Sequence, residues 1–478
     1  MNAIRSALAA LLAGATLLTP PTDAQAPAPG KSVAGSWGGA LEAGTTRLRL
    51  KLIVQSTGEA LSATFVSVDQ GGASFPATVR VQADSVSFHA DAVGAGYRAV
   101  LSVDGDTLAG VWSQGAGSLP LVMVRGADAA MAAPPRPQEP RRPFPYREET
   151  VSYTSAPGVR LAGTLTLPAG DGPHPAVLLV TGSGPQDRDE TIYNHKPFAV
   201  LADYLTRRGI AVLRVDDRGV GLSTGSFGAA DSEDFADDAL AGVRFLDARR
   251  DVGSVGIVGH SEGGLIAPMV AARAPEVGFI VMLAGPGTPS AELLMAQTAL
   301  IIRAGGAGER EVERTTALQR ELFAAIAAEA DSAALHGRLT DIVRRFQASL
   351  TPEERAREDA SDAALASAVN QLVSPWSRWF LRYDPAPALR ATRVPVLALN
   401  GALDLQVPAD ENLAGVQRAL QAGGNRDVTV EKLPGLNHLF QTARTGAPSE
   451  YGEIEETFSP AALQKVGDWI VQRFGPRP

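Results

Sequence analysis

The chain has 478 residues, more than one hydrophobic core usually organises, so two or three domains are expected. Composition is that of a globular protein, and a formal net charge of −9 excludes a nucleic-acid partner, which would need a basic stripe. With no cysteine there is no disulfide framework, thiol nucleophile, thiolate metal site or lipoprotein anchor.

The first residues have the pattern of an export signal. Arg5 lies in a short polar start, an apolar run extends from Ala7 to Leu18, and small residues end in Ala24-Gln25-Ala26. Residues 1–26 are therefore expected to be a signal peptide, cleaved after Ala24 or Ala26, and the protein to be exported, periplasmic or secreted. The apolar run is too short for a stable membrane span.

From residue 31 to 125, short segments of alternating polarity (47–53, 61–68, 77–81, 85–89, 97–103, 107–112 and 119–124) are split by Gly and Asp turns. That alternation predicts a small antiparallel β domain, a barrel or a sandwich, in which His89 is structural. Two roles suit it: a module that binds a glycan, lipid or partner, or a packing domain that shields its neighbour or supports a homodimer. A Pro- and Arg-rich stretch, 126–147, is expected to be a semi-rigid spacer.

From residue 148 to 478 the pattern changes. A hairpin (150–153 and 160–167) is followed by buried apolar strands at 176–181, 210–215, 256–259, 279–284, 394–399 and 428–433, with helical stretches between them. Such runs predict an α/β fold with a mostly parallel sheet covered on both faces, its functional loops at the carboxyl ends of the strands. Amphipathic helical segments at 291–303, 309–330, 332–349, 352–358 and 362–372 predict an inserted helical cap, at about 286–390.

Gly259-His260-Ser261-Glu262-Gly263 matches GxSxG, the pattern that places a serine on a sharp strand-to-helix turn. A second match, Gly221-Leu222-Ser223-Thr224-Gly225, has no helix opening after it, so Ser261 is the candidate nucleophile. Of the six histidines, His438 follows the last strand and reaches the same sheet edge; His195, near the first parallel strand, is the competitor. Asp404 follows the strand 394–399 and is the expected orienting acid, with Asp410 and Glu411 close by in the chain. Oxyanion donors are expected from the backbone of Glu262 and of Ser183, in the loop Thr181-Gly182-Ser183-Gly184-Pro185. That loop lacks the following lysine and helix of a phosphate cradle. Gly182, Gly184, His260, Trp376 and Trp379 are expected around the substrate, although packing of cap on sheet would equally explain Trp376, Trp379 and Phe380. Gln186 to Asp189 suit an ion-pair cluster that fixes the loop, or a substrate contact.

Taken in this order, the motifs resemble those of the α/β-hydrolase fold over roughly residues 148–478. The run Asp217 to Ser223 resembles a loop common in that fold, which makes the second match structural. The stretches 181–189 and 375–380 are similar to a bacterial exported esterase group near the dipeptidyl and acylaminoacyl peptidase-like hydrolases. One departure is Thr181, where many members carry histidine. The resemblance implies a serine hydrolase with a Ser261-His438-Asp404 triad, most simply a carboxylesterase acting on small or medium acyl esters, with a peptidase or amidase as the alternative. Neither cofactor nor metal is called for.

Overall fold

The computed structural model describes residues 32–43, 46–58, 60–68, 73–90, 93–114, 117–127, 134–351, 366 and 369–475. The expected signal peptide and the helical segment expected at 352–358 lie outside them.

Eight antiparallel strands, β1 (Gly35–Ala43), β2 (Thr46–Thr57), β3 (Ala60–Ser67), β4 (Ala73–Gln82), β5 (Ser85–Ala90), β6 (Ala95–Leu101), β7 (Thr107–Gln114) and β8 (Gly117–Arg125), follow one another around a closed barrel. The strand that closes it, β1, pairs with both β2 and β8, and was not among the segments expected from alternation. Its glycines hide the period: a Cβ at Gly39 would stand 2.4 Å from the Val122 carbonyl oxygen, so close approach to β8 requires the bare backbone. Inward positions are filled by large side chains, Trp37, Leu52, Phe65, Tyr97, Leu108 and Met123 among them, each fully buried. The Tyr97 hydroxyl donates to the carbonyls of Leu108 and Leu121, at 2.7 and 3.1 Å, so its burial leaves no unpaired polar group.

The described part of the Pro- and Arg-rich stretch lies along the second unit. The Arg136 guanidinium donates to the carbonyls of Tyr193, Gly452 and Ile454, and Gln138 bonds to Thr457 and Phe458. Tied at this many points, the described part follows the surface beneath it. On the barrel side, the Asn194 amide donates to the Val68 carbonyl at 3.0 Å.

The second unit is built on eight further strands: β9 (Arg147–Ala156), β10 (Val159–Leu167), β11 (His174–Val180), β12 (Ala211–Val215), β13 (Val252–His260), β14 (Val277–Leu283), β15 (Val396–Gly401) and β16 (Val428–Leu433). Their order across the sheet is β16-β15-β14-β13-β11-β12-β10-β9, parallel from β12 to β16 and antiparallel through the β9/β10 hairpin. Successive residues of one strand feed opposite layers. Leu178, Ile257 and Ile280 pack under the helices Ser232–Asp247, Glu262–Ala271 and Ala409–Ala422, while Val177, Val258 and Val281 pack under Pro197–Arg207 and Pro460–Phe474. That double burial is why the strands show as unbroken apolar runs.

Between β14 and β15 lie the helices Ser290–Ala304, Glu309–Ala328, Ser332–Ser349, Pro375–Phe380 and Ala386–Ala391. Leu322, Ile326, Leu335, Leu339 and Ile342 are buried in the first of the two layers, so this insertion is packed into the unit's own core. Among the described residues no helix is long and apolar enough to cross a membrane.

Candidate active site

Strand β13 delivers Ser261 to the carboxyl edge of the sheet, and the helix Glu262–Ala271 starts at the next residue. Ser261 has φ 52° and ψ −114°, a conformation that costs a non-glycine residue about 1–3 kcal/mol and persists only where its surroundings enforce it. Two glycines do the enforcing. A Cβ on Gly259 would lie 2.0 Å from the Gly263 carbonyl oxygen, and one on Gly263 would lie 2.1 Å from that of Val180, so strand, turn and helix meet only without side chains there. The Ser261 N–H donates to the Leu283 carbonyl at 2.8 Å, and its own carbonyl accepts from Gly264 at 2.9 Å. Ser223, from the second match, is buried; its hydroxyl donates to the Asp216 carbonyl and accepts from the Ala162 N–H, which is a loop-holding role.

His438 and Asp404 are brought together from the loops after β16 and β15. The His438 Nδ1 stands 2.8 Å from Asp404 Oδ2, and both residues are 4% exposed. The other carboxylate oxygen, Oδ1, accepts the N–H groups of Gln406 and Val407, each at 2.8 Å. The competitors lie elsewhere: Asp410 is exposed and pairs with Lys432, and Glu411 is exposed. His195 is buried away from this pair, with Nδ1 on the Thr457 hydroxyl and Nε2 near the Tyr451 carbonyl. Burial, helped by the Arg136 charge, lowers its pKa to about 4, so it is held neutral as a structural ring.

Ser261 and His438 share a cavity of about 120 Å³ with Ser183, Glu262, Trp376 and Phe380. Gly182 and His260 also touch it. Two expected pocket residues do not. Gly184, at φ 96°, turns toward a separate cavity behind the loop, and Trp379 stacks on Tyr383 with ring centres 4.4 Å apart, beside an open pocket of its own. On the short helix Pro375–Phe380, Trp376 stacks instead on Phe380, at 4.7 Å, and that pair is the one facing Ser261.

The loop from Thr181 to Thr191 is held by carboxylates. Asp217 accepts from the Thr181 hydroxyl and the Gln186 N–H, Asp216 binds Arg188 through backbone and guanidinium, and Arg214 pairs with Asp189. Gln186 to Asp189 therefore work mainly as loop fixers, although Gln186 also reaches the cavity wall. The Gly182 N–H is bound to Glu190 Oε1 at 2.7 Å and is occupied before any substrate arrives.

The side chain of Glu262 has partners of its own. Its buried carboxylate accepts the Ser232 hydroxyl at 2.5 Å, the Trp376 indole N–H at 2.8 Å and a hydrogen bond from Ser183. Burial, the largest influence, raises its pKa above the usual carboxylate range in spite of these three donors. Trp376→Phe removes one donor and keeps a ring to stack on Phe380. It is expected to cost about 1–3 kcal/mol of stability, seen as a lower melting temperature, together with a changed KM across an acyl-length series.

Neither Glu190 nor Ser232 was singled out by sequence reasoning. Glu190 is 3% exposed and accepts from both Gly182 N–H and His260 Nδ1, the latter at 2.9 Å. Burial opposes charge on His260, but the Glu190 carboxylate, the bond to it, the His438 carbonyl and the more distant Asp404 together raise its pKa. Because the folded value lies above the unfolded one, this stabilisation is complete below about pH 6.5 and is lost as pH climbs through the folded value. The stability difference between wild type and His260→Gln, from denaturant melts, is thus expected to be larger at about pH 6 than at about pH 9.

Residues 194–331, which include Ser261, match the family described as serine aminopeptidase, S33. The chain is 26% identical over 334 residues, 69% of each sequence, to esterase EstD of Thermotoga maritima. Among solved structures, the Pyrococcus furiosus esterase Pf2001 superposes with a TM-score of 0.42 at 17% identity, over 72% of this chain and 98% of that one. The proline iminopeptidase of Mycobacterium smegmatis gives 0.41 at 16% identity, over 68% and 98%. The fold is that of the α/β hydrolases. The family match and the EstD likeness support a hydrolase, with esterases among what it is similar to.

Proposed function

We propose that this chain is a serine hydrolase, specifically a carboxylesterase acting on small or medium acyl esters. The observation that carries the reading is that His438, bound through Nδ1 to the buried Asp404, shares one cavity with Ser261 on its strained turn. In the first half-reaction, His438 Nε2 takes the Ser261 hydroxyl proton as the oxygen attacks the ester carbonyl carbon. The tetrahedral oxyanion is held by the backbone N–H groups of Glu262 and Ser183. The ester C–O bond then breaks, the leaving alkoxide takes the proton from His438, and the acyl group stays on Ser261. Water, deprotonated by the same histidine, releases the carboxylic acid and restores the serine. The Asp404 carboxylate stabilises the imidazolium formed in each half. Trp376, Phe380, Leu293 and Leu294 supply an apolar wall for the acyl group. No cofactor is required by these steps. The test is a p-nitrophenyl ester series of increasing acyl length on purified protein, with and without a covalent serine inhibitor; turnover that survives complete labelling of Ser261 would overturn the reading.

A second reading, an exported serine peptidase or amidase with the same triad, is favoured by the description of the matching family, serine aminopeptidase. An amide leaving group needs firmer protonation by His438. Peptide arylamides hydrolysed as fast as the best ester would favour it. Residues 1–26 support export to the periplasm or beyond, which fractionation of cells expressing the full chain would test. We take the filled barrel as a packing domain rather than a ligand-binding module, and its side chains favour that role.

A further inference from the structure

We propose that Glu190 and His260 form a positioning pair that ties the nucleophile turn, the oxyanion loop and the loop of the candidate base together at one carboxylate oxygen. The proposal rests on the serine-hydrolase reading. It assigns work to two buried residues that take no part in the steps above.

Three contacts meet at the pair. Glu190 Oε1 accepts the Gly182 N–H at 2.7 Å, one residue before Ser183. The same oxygen stands 2.9 Å from Nδ1 of His260, the residue before Ser261. On the far side of that ring, Nε2 lies 3.0 Å from the carbonyl oxygen of His438 itself. Oxyanion loop, nucleophile and base are thereby linked through a single oxygen and a single ring.

The chemistry of the partners fixes the state of the ring. A carboxylate and a backbone carbonyl can only accept, so with Glu190 ionised both bonds are kept only when each nitrogen of His260 carries a proton, as an imidazolium. A neutral ring would turn a lone pair toward one of the two acceptors and release it. With Glu190 3% and His260 7% exposed, the bond would be lost in surroundings largely shut from bulk water, where an unmet polar group is costly. The charged groups facing His260 are Glu190 from the oxyanion loop and Asp404 from beyond His438, whose ring is centred 4.8 Å away. An ion pair placed merely to stabilise the fold would have no reason to bind the backbone of the base, or to hold the N–H next to the oxyanion donor.

The test compares full-length wild type with Glu190→Gln, His260→Gln and the double variant, using p-nitrophenyl butyrate. Active sites are counted by fluorophosphonate labelling, so turnover is expressed per competent site. Each single variant is expected to label to full stoichiometry and to lose about 10- to 100-fold in kcat with KM within about twofold. The double variant is expected to lose no more than the worse single one, since both residues act through one chain of contacts. For a variant that does not fold, wild type with ¹⁵N-labelled histidine answers instead: one ring doubly protonated at about pH 7.5, above the free imidazole value, is expected. A kcat per labelled site within about twofold of wild type in both single variants, additive losses in the double variant, or no such ring would each overturn the positioning role. Full turnover by Ser261→Ala would overturn the parent reading and this one with it, a result that the other outcomes cannot imitate.

Discussion

Ser261→Ala is expected to lower kcat for p-nitrophenyl esters by about four to six orders of magnitude while the protein still folds. The size follows from what the change removes. On the proposed reading the oxygen that forms the acyl bond is lost, whereas the cavity, the Glu262 and Ser183 N–H groups and the Asp404-His438 pair remain, so only the small catalysis those groups give to water persists. Folding is spared for a structural reason. The turn is enforced by Gly259 and Gly263, and alanine at φ 52° is under the same strain as the serine it replaces. A melting temperature within a few degrees of wild type, measured with kcat on the same preparation, is the expected pair of results. Ester turnover within tenfold of wild type would exclude Ser261 as the nucleophile.

Asp404→Asn is expected to lower kcat by about 10⁴, again with little loss of structure. The backbone decides which way the new amide points. Oδ1 of Asp404 accepts the N–H groups of Gln406 and Val407, so an asparagine must leave its oxygen there and turn its NH₂ toward His438. Facing a donor, Nδ1 of His438 becomes an acceptor, its proton moves to Nε2, and the ring can no longer take a proton from Ser261. Asp404→Ala removes those two backbone bonds as well and is expected to lower the melting temperature in addition to kcat. An Asp404→Asn protein with kcat within tenfold of wild type would remove the acid from the proposed triad.

Much of the scaffold can be followed in the sequence, because burial of both sheet faces leaves a physical trace in each strand. Runs such as Val255 to Val258 are apolar at every position, since neighbouring residues face different layers. The glycines around Ser261 likewise carry their reason locally, in the space a Cβ would need. What could not be read depends on partners distant in the chain. Glu190 is one acid in a run of charged residues until the fold brings it to His260, 70 positions on. Trp376 and Trp379 are both aromatic residues on one short helix, and only the packing of the cap separates the one that faces Ser261 from the one on Tyr383. Strand β1 was hidden by the very glycines that let it close the barrel. The spacer's proline and arginine content suggested stiffness and gave no sign of the carbonyl groups that Arg136 would meet.

The indole of Trp376 on the carboxylate of Glu262 also bears on how freely the parts of this enzyme can be recombined. In a chimaera that grafts another protein's cap between β14 and β15, the graft must arrive with a donor at this one point. Otherwise a buried acid beside Ser261 loses a partner that the core cannot replace. A library of cap transplants onto this core is accordingly expected to divide by the presence of a tryptophan, or an equivalent N–H, opposite residue 262, more sharply than by overall similarity of the transplanted helices.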